Sequence, residues 1–139
     1  MSEVKDGLLY TKTHQWFNPE TNKVGITAYA ADSLGEISFV DLDAINGEDV
    51  SQIEMDGDEP SSTPIDAMVE SNKAVADIFS PLSGNVTAVN DELLDFPEKV
   101  NDDPYGEGWL FELDPSDLDG EKGNLLSADE YSSFVEGLE

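Results

Sequence analysis

The stretch Ile65-Asp66-Ala67-Met68-Val69-Glu70-Ser71-Asn72-Lys73-Ala74-Val75-Ala76-Asp77-Ile78-Phe79-Ser80-Pro81-Leu82-Ser83-Gly84 decides the fold. Two mostly apolar runs, Ile65 to Ser71 and Ala74 to Phe79, flank the polar pair Asn72-Lys73, and Ser80 to Gly84 then breaks the chain. Runs of that length around two polar residues read as a β-hairpin with Lys73 at or beside its tip, although the pair lacks the glycine that a two-residue type I′ turn favours. A lysine placed there has two readings. It is an edge charge that discourages strand-to-strand association, or it is an acceptor held away from the body so that a modifying enzyme can reach its amine. A rigid hairpin would limit the entropy lost when that enzyme docks.

Upstream, Lys23 to Thr27 and Glu36 to Leu42 alternate as short strands. Between them Thr27 is a candidate N-cap, Ala28 to Leu34 an Ala-rich helix, and Gly35 its left-handed stop. Met55 to Pro64 carries acids, serines and two prolines with one large apolar residue, and reads as a surface loop. Downstream, Asn85 to Asn90 resumes alternation, a helical turn is expected near Leu93 to Val100, and a turn spans Pro104 to Gly108. A strand then runs from Trp109 to Leu113 with Trp109, Phe111 and Leu113 on one face. Ser127 and Glu130 form a capping box, and Tyr131, Phe134, Val135 and Leu138 recur at helical spacing, so a short amphipathic helix closes the chain.

Composition narrows the functions. With 6 Lys+Arg against 32 Asp+Glu among 139 residues, the formal charge is −26. Counterion release on nucleic acid needs several cations on one face, so nucleic acid and anionic membrane surfaces are poor partners. The acidity reads either as solvation in a salt-rich cell or as a docking face for a basic partner. No cysteine is present, which excludes a disulfide framework, a thiolate metal site, a cysteine nucleophile and a protein-borne dithiol. The start, Met1 to Leu8, lacks a basic flank before an apolar run, and no window approaches the ~20 apolar residues that span a bilayer, so a cytoplasmic location is expected.

Signatures of catalysis are missing. There is no phosphate-binding glycine loop and no G-x-S-x-G, and any acyl-transfer triad would have to be built around the single histidine, His14. A lone His beside Trp16 reads as a structural, hydrogen-bonded residue. Asn101-Asp102-Asp103-Pro104-Tyr105-Gly106, with Glu112 in the last position, has the length and glycine of a calcium loop. It fails on chemistry, because Tyr105 stands where an oxygen ligand is needed and Pro104 stiffens the turn. No metal site is expected.

Glu70-Ser71-Asn72-Lys73-Ala74, followed by Ser80-Pro81-Leu82-Ser83-Gly84, resembles the lipoyl-attachment hairpin of the glycine cleavage system H-protein family. Four further blocks resemble that family in the same order. They are Leu9-Tyr10-Thr11-Lys12-Thr13-His14-Gln15-Trp16, Val24-Gly25-Ile26-Thr27, Leu34-Gly35-Glu36-Ile37, and Val100-Asn101-Asp102-Asp103-Pro104-Tyr105-Gly106-Glu107-Gly108-Trp109-Leu110. The resemblance runs from about Gly7 to the C-terminus. It implies a mainly β barrel-sandwich hybrid with a few short helices, a single lipoyl-carrier domain over residues 1–139, and lipoate in amide linkage to Lys73. It also implies that Glu70 and Gly84, three residues before and eleven after the lysine, are recognised by the lipoate-attaching enzyme. Implied partners are glycine decarboxylase, a tetrahydrofolate-dependent aminomethyltransferase and dihydrolipoamide dehydrogenase. The chain would then be a monomeric carrier component of a multienzyme system, not itself an enzyme, and the cofactor would bring both sulfurs.

The residues resembling the site where that family parks its loaded arm are Thr13, Gln15 and Asp77. Gln15 departs from the usual Glu, Asn72 from a common apolar β-branched residue, and an acidic insertion lies at about 53–65. These departures leave two alternatives open: an H-like lipoyl carrier of another pathway, such as sulfur oxidation, and a non-lipoylated structural or interaction homologue.

Overall fold

The structure, a computed structural model, describes residues 3–138. Met1, Ser2 and Glu139 lie outside the described residues, and with them the first two positions of the start read above for a leader. Eleven short strands are described: β1 (Leu9–Tyr10), β2 (Gln15–Asn18), β3 (Lys23–Ile26), β4 (Ile37–Asp41), β5 (Asp49–Val50), β6 (Met55–Asp56), β7 (Glu59–Pro60), β8 (Met68–Ser71), β9 (Val75–Asp77), β10 (Gly84–Val89) and β11 (Phe111–Pro115). Five short helices accompany them: α1 (Ala28–Leu34), α2 (Glu92–Asp95), α3 (Lys99–Asp102), α4 (Leu118–Glu121) and α5 (Ala128–Leu138). A six-stranded antiparallel sheet has the order β1-β2-β3-β11-β10-β5, and a three-stranded antiparallel sheet the order β4-β8-β9.

Both sheets feed one core. Phe17, Val24, Val86, Phe111 and Leu113 from the larger sheet meet Ile37, Val40 and Val69 from the smaller. Each such side chain contributes roughly 1.5–3 kcal/mol by leaving water, so this two-layer contact is the main force holding the sheets together. A second cluster joins Tyr10 and Trp16 to Tyr131 and Val135 of α5, with the Tyr10 and Tyr131 rings stacked at 4.6 Å.

Local chemistry explains the helices. Thr27 Oγ1 accepts from the Ala30 N–H at 3.3 Å, and Gly35, at φ +83°, ends α1 with its N–H on Ala31 O. At the start of α5, Ser127 Oγ accepts from the Glu130 N–H while Glu130 Oε1 accepts from the Ser127 N–H. Its Tyr131 and Val135 are buried, whereas Leu138 is exposed.

Three expectations need correction. Met55 to Pro64, read as a surface loop, has no buried residue but is not all loop, because β6 and β7 pair there as a small hairpin around Gly57, which takes φ +68°. The turn expected over Leu93 to Val100 is two helices, since α2 ends before Pro97 and α3 starts after it; proline opens a helix but cannot continue one. Trp109 does not share a face with Phe111 and Leu113. The strand begins only at Phe111, Leu110 is buried in the main core, and Trp109 packs in the second cluster with the Lys23 ammonium 4.7 Å from the center of its ring.

Candidate functional site

Lys73 is the middle residue of the three-residue connection, Asn72 to Ala74, between β8 and β9. Neither Asn72 nor Lys73 takes a positive φ, so the turn does without the type I′ geometry for which the pair is poorly suited. Ser71 closes it instead. The Ser71 N–H donates to Ala74 O at 2.8 Å, and its buried hydroxyl accepts from the N–H groups of Lys73 (3.3 Å) and Ala74 (3.1 Å). A serine at the first turn position satisfies backbone donors that a hairpin tip would otherwise leave to water.

Among the described residues no side chain pairs with the amine at that tip. Lys12, Lys99 and Lys122 pair with carboxylates, and Lys23 covers Trp109. Lys73 is exposed and has neither an ion pair nor a ring contact among the described residues. Its stem runs beside Gly35, where an added methyl would lie 3.3 Å from Lys73 Cε. Asn101 fixes that neighbour: its Nδ2 donates to Gly35 O at 2.8 Å, and its Oδ1 accepts from the Ile37 N–H at 2.8 Å. Sequence reading quoted Asn101 only within a block; its clamping role depends on contacts more than sixty positions away.

Glu70 sits on β8, opposite Phe39 of β4 on one side and Val75 of β9 on the other. Gly84 lies in the other sheet, between Pro115 of β11 and Val50 of β5. A Cβ at Gly84 would stand 2.2 Å from Asp114 O, so the strands approach there as only glycine allows.

Thr13 and Gln15 come together. Gln15 is buried, its Oε1 accepts from the hydroxyls of Thr11 (2.9 Å) and Thr13, and its Nε2 donates to Thr13 O at 3.0 Å. Thr11, which sequence reading did not single out, is the hub: its Oγ1 also accepts from the Gln15 N–H. Asp77 is exposed on β9 and makes no hydrogen bond to this cluster. A cavity of about 810 Å³ opens between Thr11, Lys12, Met55 and Glu121, and Lys73 does not line it. Presentation of the amine is therefore separate from the cavity.

His14 has a structural place. Its Nδ1 is 2.7 Å from the Tyr131 hydroxyl, which is also 2.7 Å from Thr27 Oγ1, and the ring packs on Tyr29 and Phe134. Burial pulls its pKa down from 6.5 to about 4, because a buried imidazolium loses hydration. Burial likewise pushes the Tyr10 and Tyr131 hydroxyls above the usual tyrosine range. In the stretch read against a calcium loop, Asp103 Oδ2 accepts from the Glu107 N–H at 3.0 Å, so that carboxylate closes the turn.

The family model described as "Glycine cleavage H-protein" matches residues 8–137. A "Glycine cleavage system H protein" of Rubrobacter xylanophilus is 42% identical over 138 residues, covering 98% of each chain. A "Probable glycine cleavage system H protein" of Halobacterium salinarum is 42% identical over 133 residues, covering 96% of this chain and 97% of its own. The crystal structure of a glycine cleavage system H protein from Mycobacterium marinum superposes with a TM-score of 0.76 at 34% identity, over 96% of this chain and 99% of that one. Fold and site thus define a lipoyl-domain-like carrier of the barrel-sandwich class, mainly β with several short helices, and not a catalyst. The chain belongs to the glycine cleavage H-protein family.

Proposed function

We propose that Lys73 carries lipoate in amide linkage. We further propose that the lipoylated chain takes an aminomethyl group from glycine decarboxylase to the tetrahydrofolate-dependent aminomethyltransferase, dihydrolipoamide dehydrogenase then restoring the disulfide. The observation that carries this reading is the exposed Lys73 side chain, without an ion pair among the described residues, on a tip closed by Ser71. When bound, lipoate supplies the sulfurs that this cysteine-free chain lacks. In the attachment step the neutral Lys73 nitrogen forms a C–N bond to an activated lipoyl carbonyl. The adenylate leaves with the electron pair of the broken bond, and one proton leaves the nitrogen.

The chain's residues divide the remaining work. Ser71 and the Asn101-clamped Gly35 hold the tip and support the lysine stem. Glu70 and Gly84 are the positions read by the lipoate-attaching enzyme, and Thr13, Gln15 and Asp77 form the parking site of the loaded arm. Thr13 and Gln15 support that assignment by sharing one hydrogen-bonded cluster, while Asp77 supplies an exposed carboxylate on the lysine-bearing sheet. The protein acts in the cytoplasm; no helix among the described residues is long and apolar enough to cross a membrane.

The test is reconstitution. Lipoylated wild type should support exchange of labelled bicarbonate into glycine by glycine decarboxylase, and Lys73→Arg should support none. Equal exchange by the two proteins would refute the proposal.

A further inference from the structure

The three-stranded sheet has an outward face with an unusual order. Ile37 pairs with Ser71 and Phe39 with Glu70, so one extra residue, Ser38, makes a bulge in β4. A bulge reverses the alternation that follows it. Ile37 and Val40 are therefore buried while Phe39 is 40% exposed.

Directly opposed residues of antiparallel strands share a face. One outward row is Phe39, Glu70 and Val75; the next is Asp41, Met68 and Asp77. The row between them, Val40, Val69 and Ala76, points into the core. Apolar and acidic side chains thus alternate both across and along the three strands, next to the turn that bears Lys73. Val75 is 57% exposed, and no lysine among the described residues pairs with Asp41, Glu70 or Asp77.

We propose that this checkered face is the docking surface for the enzyme that acylates Lys73, a protein offering apolar contacts set between basic side chains. The inference rests on the reading of Lys73 as the lipoylated residue and adds the surface that delivers it. Charge selects the occupant. A second copy of this chain would place carboxylates against carboxylates on a background of −26 per chain, whereas a basic partner is steered in and held in register by the same groups. Exposed Phe39 and Val75 supply the apolar contact that charge alone lacks, and Glu70 between them ties the face to the turn. Docking here leaves the Lys73 amine at the rim, toward the partner's reactive carbonyl.

The experiment uses the unmodified full chain, so that no arm can cover the face, with lipoate, ATP and a lipoate-attaching enzyme. Initial rates of lipoyl incorporation are read by intact mass. The Phe39→Thr/Val75→Thr variant, with β-branched residues at exposed strand positions, should lose about ten-fold in kcat/KM, chiefly through KM. Asp41→Lys, at an exposed position, should lose a similar factor at low salt, and its deficit should shrink as salt screens the wild-type attraction. Thermal melts confirm that both variants are folded. Rates within two-fold of wild type for both would overturn the docking surface while leaving Lys73 as the acceptor. Failure of the wild type to gain a lipoyl group would overturn the reading of Lys73, and the docking surface with it.

Discussion

Replacing Gly84 by alanine separates two roles for that residue. The added Cβ would lie 2.2 Å from Asp114 O, 2.9 Å from Asp114 C and 3.0 Å from Pro115 Cα, all of them backbone atoms of the paired strand β11. No side chain can rotate away, so β10 and β11 must separate by about 1 Å, close to where β10 also pairs with β5. Overpacking a rigid site costs about 1–3 kcal/mol, and contact with backbone puts this case near 3. With an unfolding entropy of ~2.1 cal/mol/K per residue, 3 kcal/mol corresponds to a fall of about 10 °C in Tm for a chain of this length. The assay is a thermal melt of the unmodified protein by circular dichroism, followed by lipoylation rates at a temperature where the variant is folded. A Tm within ~2 °C of wild type would refute the packing argument. A large fall in Tm with a normal rate of modification would make Gly84 a requirement of the sheet and withdraw it as a recognition residue.

Other consequences are open to direct measurement. His14, with its pKa lowered from 6.5 to about 4, stays neutral in the fold while the unfolded chain takes up a proton below pH 6.5, so stability is lost as pH falls from about 6.5 toward 4. The full shift corresponds to ~3 kcal/mol, discounted to about 1–2 for residual solvent contact; urea midpoints at pH 7 and 4.5 should fall more for wild type than for His14→Asn, and equal falls would contradict it. Removing residues 56–59 should lower Tm by no more than a few degrees, because the Lys12–Asp58 pair it deletes is exposed; a collapse of the fold would show that the hairpin supports the core. Denaturation midpoints should rise from 0.01 M to molar sodium chloride as the Debye length falls from ~30 to ~3 Å, and a flat response would rule out self-repulsion as a limit on stability. In the loaded carrier without transferase, Asp77→Ala should speed and Gln15→Glu should slow loss of the aminomethyl group. Equal decay of both variants and wild type, followed by mass spectrometry, would remove the parking assignment.

Elements whose signals are local were legible in the sequence. Thr27, Gly35, Ser127 and Glu130 marked helix ends because caps act on donors and acceptors within a few residues. The β8–β9 hairpin was legible for the same reason, and with it the position of Lys73. Family resemblance supplied the fold class, which periodicity alone could not, since short strands do not announce their partners. The bulge at Ser38 was hidden because Glu36 to Leu42 alternates as well as an unbulged strand does, and only pairing with β8 shows that Phe39 turns outward. Trp109 misled because alternation was extended across a turn that ends at Gly108. The β6–β7 hairpin escaped notice because strands of two residues carry no periodicity.

Within the site, the positions of Lys73 and Glu70 were readable, but their supports were not. Asn101 acts on Gly35 and Ile37 from a distant helix, and Thr11 acts through a loop whose shape depends on His14 at φ +73°. Gly84 was singled out through resemblance alone, and its close approach to β11 appears only when the sheet is assembled.

The most direct measurement is peptide mapping of the protein isolated from its own host, with the intact mass taken on the same sample. Expected is one lipoyl group per chain, all of it on the peptide containing Lys73, with the other five lysines unmodified. Lipoate on Lys12, Lys99 or any other lysine, or an unmodified chain from cells with an active lipoate-attaching enzyme, would contradict the assignment of Lys73 as the acceptor.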